Sequence, residues 1–158
     1  MPELRELLEQ AGFEDVQTYV QSGNVVLTSK LKPDSLAKRL ERELADGVGL
    51  ETQVLVRTRA ELAKIVERDP LGSEADDPAR YQVTFLDKPL TAARKRELEA
   101  ADVAPELVAV HGREIYAWHP NGQARSALAA LLTAKKLDRA ATARNWRTVV
   151  KLLELAGG

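Results

Sequence analysis

Residues 107–119 read Leu107-Val108-Ala109-Val110-His111-Gly112-Arg113-Glu114-Ile115-Tyr116-Ala117-Trp118-His119, and how they fold decides the fold of the chain. Two runs rich in β-branched and aromatic residues flank a Gly-Arg pair, and glycine first in a two-residue loop suits a type II′ hairpin. The hairpin puts Val108, Val110, Ile115 and Ala117 on one face and Leu107, Ala109, Tyr116 and Trp118 on the other. One of these faces must meet helices.

Upstream, Tyr81–Leu86 has a period-two pattern with Tyr81, Val83 and Phe85 on one face, and a helix capped by Thr91 follows. Downstream, one helix starts after Pro120-Asn121-Gly122 and carries Leu128, Leu131 and Leu132. A last helix is expected to open within Thr142-Ala143-Arg144-Asn145-Trp146-Arg147-Thr148 and to bury Trp146, Val149, Val150 and Leu153. The first half reads similarly. Leu4, Leu7, Leu8 and Ala11 mark a helix ended by Gly12. Val16–Val20 and Asn24–Thr28 around Ser22-Gly23 read as a hairpin or as one bulged strand. Pro33 and Asp34 start a helix striped by Leu36, Leu40 and Leu44, with Gly47 at its C-cap. Thr52–Arg57 reads as a strand, and Thr58 with Glu61 makes a capping box for a helix holding Leu62, Ile65 and Val66. Asp69–Ala79, rich in proline and acid, is the expected boundary between halves 1–69 and 80–158.

The order is nearly one unit twice. It predicts an α+β fold of two ferredoxin-like, split β-α-β repeats with antiparallel sheets and an extra C-terminal helix, the first repeat lacking its opening strand. An unpaired sheet edge near Val20–Leu27 would then be open to self-association.

With 44% hydrophobic and 30% charged residues at a net charge of −1, the composition is that of an ordinary folded protein, which excludes a disordered or collagen-like chain. No apolar run approaches the roughly 20 residues of a membrane span, so no membrane partner and a cytoplasmic address are expected. The lack of cysteine excludes disulfides, thiolate nucleophiles and sulfur-ligated metals. Charge is uneven: residues 124–158 hold seven Lys/Arg against two Asp/Glu, a net of +5 that leaves −6 on residues 1–123.

Several signatures together resemble a bacterial family known as domain of unknown function 1697. They are Leu4, Leu7 and Gly12 in the opening helix, the segment Thr18-Tyr19-Val20-Gln21-Ser22-Gly23-Asn24-Val25-Val26, Asn121-Gly122 with Arg125-Ser126, and Thr142 with Arg144-Asn145-Trp146 and Thr148. The resemblance spans essentially the whole chain. It implies paired ferredoxin-like halves, a further opening strand in typical members, and no established activity, so no catalytic residue is carried over. Ala127, Ala143 and Arg147 depart from the family's usual lysine, threonine and asparagine.

Among candidate sites, a metal is not expected. Pairing His111 with Glu114 leaves His119 about 16 Å along the strand at ~3.3 Å per residue, and both histidines read as surface residues. Ser22 and Ser126 have no histidine nearby in sequence, and no phosphate-cradling glycine loop is present. Cations near helix starts are unfavourable unless an anion offsets them. Arg125, Arg144 and Arg147 hold such positions, so Asn121, Gly122, Arg125, Ser126, Arg144 and Asn145 are the expected cradle for a phosphate or carboxylate. The protein is then expected to be a non-catalytic binding module without a cofactor. Two alternatives stand beside it: an RNA- or single-stranded-DNA-binding module using Tyr116, Trp118 and the basic tail, and an enzyme of unrecognised type.

Overall fold

A computed structural model describes residues 2–19 and 23–157. Its architecture is α+β, with one antiparallel sheet of two strands and one of four. Two compact units emerge, Met1–Ala63 with Lys151–Gly158, and Lys64–Val150. The division falls within two helices, α3 (Arg59–Arg68) and α7 (Trp146–Leu155), rather than in the 69–79 loop. No helix among the described residues is long and apolar enough to cross a membrane.

In the first unit α1 (Pro2–Gln10) leads into β1 (Glu14–Tyr19) and β2 (Asn24–Thr28), which pair antiparallel with Tyr19 opposite Asn24. Their register shifts between Glu14 and Gln17, where Asp15 has φ 53 and its carboxylate accepts the Thr28 hydroxyl at 2.9 Å. The element is therefore a bulged hairpin, combining both sequence alternatives. Residues 20–22, with Ser22 and part of the edge expected to self-associate, lie outside the described residues.

Helix α2 (Pro33–Val48) starts with proline in its first turn and ends on Gly49, whose φ of 68 is the left-handed cap. Gly47, expected at that cap, is instead inside the helix. A Cβ there would overlap the Leu7 side chain, so this glycine permits close approach to α1. Residues 52–57 correct a second expectation. They form no strand, yet Val54 and Val56 pack against the core of Leu8, Phe13, Val16, Leu36 and Leu40, and the Val54 N–H donates to the Glu41 carboxylate at 2.8 Å. The pattern recorded burial, but a side chain supplied the partner that a ladder would have given. The capping box of α3 forms in full: Thr58 N–H donates to Glu61 Oε1 at 2.8 Å and Glu61 N–H to Thr58 Oγ1 at 3.1 Å.

In the second unit β3 (Tyr81–Leu86) precedes α4 (Ala92–Glu99), whose N-cap Thr91 accepts from Arg94 N–H. The hairpin of β4 (Leu107–His111) and β5 (Glu114–Trp118) turns at Gly112, φ 58, with His111 opposite Glu114 as the sequence predicts. Short helices α5 (Ala127–Leu131) and α6 (Ala134–Leu137) follow. Residues 141–145 then correct a third expectation: they form strand β6 (Ala141–Asn145), not the start of the last helix. The free edge of β3 takes them up, Val83 opposite Arg144 and Gln82 opposite Asn145, and the sheet order is β4-β5-β3-β6.

Val110, Ile115 and Ala117 turn to the helical side and pack with Leu86, Leu98, Leu128 and Leu137. The hairpin's aromatic face turns the other way and is also covered. Tyr116 is 0% and Trp118 7% exposed. The Tyr116 hydroxyl donates to the Ile65 carbonyl at 2.8 Å, and Tyr81 stacks on Trp146 at 4.7 Å.

Candidate functional site

The segment after β5 turns sharply because Gly122 (φ 84) takes a left-handed conformation open to glycine, and its N–H returns to the His119 carbonyl at 2.9 Å. Arg125 is also left-handed, at φ 64, which an L side chain tolerates only at a cost. Ser126 then caps α5, its Oγ accepting the Ala129 N–H at 2.9 Å. Arg125 therefore precedes the cap and is not in the first helical turn, as the sequence suggested.

Beneath this loop is a polar cluster that sequence reasoning missed. His119, expected at the surface, is 0% exposed. Its Nδ1 lies 2.6 Å from Glu106 Oε2, and the Ser126 hydroxyl donates to the same oxygen. The other oxygen, Oε1, accepts the Leu128 N–H at 3.1 Å. Burial alone would push the Glu106 carboxyl up. The hydrogen bonds from Ser126, His119 and Leu128 outweigh it and hold the group below its ordinary value. Glu106 is thus the anion at the start of α5, and it satisfies the Leu128 amide hydrogen, which would otherwise be orphaned.

The geometry also limits the cluster's chemistry. Ser126 meets Nδ1, the nitrogen already held by Glu106, at 3.1 Å, and its oxygen is engaged as a helix cap. A nucleophilic serine needs its proton taken by a basic group, whereas this proton is given to a carboxylate made less basic than usual. His119 Nε2 is buried with no hydrogen-bond partner among the described residues. The only sequence signals for this cluster were a histidine ending an apolar strand and a glutamate after Pro105, too common in kind to stand out.

Above the cluster opens a cavity of about 230 Å³. Asn121, Gly122, Arg125 and Ser126 line it, facing Asp102 and Glu106 from the segment before β4. Four of the six expected residues thus meet at one place.

Arg144 and Asn145 do not join them. They lie on β6, at the opposite edge of the sheet from β4, and neither lines the cavity. The Arg144 guanidinium donates to Thr142 Oγ1 at 2.6 Å and to the Ala143 carbonyl at 2.8 Å, and burial pushes its pKa down. Asn145 Oδ1 accepts the Thr148 N–H at 2.9 Å, capping α7. Both have structural employment. Tyr116 and Trp118, expected as platforms for base stacking, present no open face.

Fold and cavity define a class: an α+β protein of antiparallel sheets with a small polar pocket on the loop before a short helix. The chain belongs to the family described as Protein of unknown function (DUF1697), whose pattern matches residues 1–116. The match includes Asp102–Glu106 and stops before the 121–126 loop. Among solved structures, the chain is similar to the conserved bacterial protein SP0830 from Streptococcus pneumoniae, with TM-score 0.74 and 22% identity over 99% of this chain and 88% of that one. At that identity the likeness speaks to the fold alone. No curated protein matches the chain.

Proposed function

We propose that this protein is a non-catalytic binding module for a small ligand bearing a phosphate or carboxylate, seated between the 121–126 loop and the segment before β4. One observation carries the proposal: Asn121, Gly122, Arg125 and Ser126 border one cavity, and the Arg125 and Asn121 side chains have no partner among the described residues. Because Glu106 occupies the start of α5, the ligand's charge is met by the Arg125 guanidinium and the loop rather than by the helix dipole. Arg144 and Asn145 are not part of the site.

The test is a ¹⁵N-resolved NMR titration with inorganic phosphate and with acetate. Shifts should concentrate at residues 102–106 and 121–126. Arg125→Ala should weaken binding about 10- to 100-fold, the worth of one charge-assisted hydrogen bond. A spectrum unmoved by tens of millimolar of either anion would remove the basis of the proposal.

We also infer that residues 81–145 follow the ferredoxin-like split β-α-β plan. Support comes from the element order β-α-β-β-α-α-β, in which the short α5 and α6 stand in place of one helix, and from the arrangement of first and third strands at the centre of an antiparallel sheet. The first unit fits the same plan with fewer strands: a helix and a hairpin precede α2, and Val54 and Val56 of the 52–57 segment pack against their core.

A further inference from the structure

The cavity holds opposite charges that do not neutralise one another. Asp102 and Arg125 both line it beside Glu106, whose carboxylate is already engaged by Ser126 and the Leu128 amide, and among the described residues neither the Asp102 carboxylate nor the Arg125 guanidinium has an ion pair or a side-chain hydrogen bond. A ligand that is only an anion would gain from Arg125 and be repelled by Asp102. A ligand with an ammonium at one end and an acid at the other gains from both. Val103, Pro105 and Ala127 line the same cavity, and their apolar surface suits a short run of methylenes. The volume, about 230 Å³, is below the roughly 300–1,000 Å³ of pockets for drug-sized ligands, so the occupant is small.

Building on the anion-site reading above, we propose that the ligand is a small zwitterion: an acid, phosphate or carboxylate, and a primary ammonium joined by a short carbon chain. Arg125 and Asn121 receive the acid, and Asp102 receives the ammonium.

Matched probes separate this inference from the one beneath it. O-phosphoethanolamine and ethyl phosphate differ only in the ammonium, as do β-alanine and propionate. On the intact protein, calorimetry or NMR titration should find each zwitterion about tenfold or more tighter than its anion-only partner, the scale of one charge-assisted contact. Asp102→Asn should erase that preference while ethyl phosphate binds as well as before or better. Asp102 is exposed, and an unchanged amide spectrum away from the cavity would verify that the variant folds. Equal affinity for the two members of each pair would overturn the zwitterion and leave the anion site standing. A preference that survives Asp102→Asn would overturn the role of Asp102. Silence from all four probes would overturn both proposals.

Discussion

Glu106 places a carboxylate where the start of α5 would otherwise attract an anion from solution. Each of its oxygens is used, one by His119 and Ser126 and the other by the Leu128 amide. Removing it leaves a buried imidazole and a helix start unpaired, so Glu106→Ala should cost about 2–3 kcal/mol in urea unfolding. The acid limb of stability follows from the same contacts. The folded carboxyl titrates below its ordinary value, so the unfolded chain binds this proton first as pH falls. The contribution of Glu106 is therefore complete above the ordinary carboxyl range near pH 4.3 and is lost as pH drops through the lower folded value. Glu106→Gln, which cannot titrate, should show a flatter stability curve over that range, and an unchanged slope would deny Glu106 this part. None of this was legible in the sequence. Glu106, His119 and Ser126 are far enough apart in the chain that only folding makes them neighbours, whereas Arg125 and Asn121 drew attention through local chemistry, a cation and an amide around a glycine turn.

Asn145 illustrates how an element boundary changes a residue's meaning. Read as part of a helix's first turn, Asn145 offered a donor for a ligand. At the junction of β6 and α7 it is the cap that accepts the Thr148 N–H. Asn145→Ala should therefore lower stability by about 1 kcal/mol and leave anion titrations at residues 121–126 unaltered; altered titrations would return Asn145 to the site. The misreading has a physical source. Residues 141–145 are too short for strand periodicity to register, and the apolar stripe of α7 begins immediately afterwards. Their strand state is conferred by pairing with the exposed edge of β3. Elements with chemistry internal to themselves were legible: the Thr58–Glu61 box, the Thr91 cap and the Gly112 turn all formed where the residues required.

Across the whole molecule, each unit has its own apolar core. Leu40 belongs to one, with Leu8, Phe13, Val16 and Leu36; Leu128 belongs to the other, with Leu86, Leu98, Ile115 and Leu137. Leu40→Ala and Leu128→Ala should each cost about 2–5 kcal/mol. Because the two sets share no residue, their losses should add to within ~0.5 kcal/mol in the double variant, and hydrogen exchange should place each loss in its own unit. A larger departure would mean that the cores do not act separately. The sequence by itself determined the α+β class, the hairpin and its faces, most helix caps and the glycine loop beside the cavity, because these depend on residues within a few positions of one another. Only the tertiary structure decided that Glu106 fills the start of α5, that 141–145 complete a sheet, that Tyr116 and Trp118 are covered, and that Asp102 shares a cavity with Arg125. Those outcomes turn on which distant backbone edges and charges meet, and a linear pattern carries no record of such meetings.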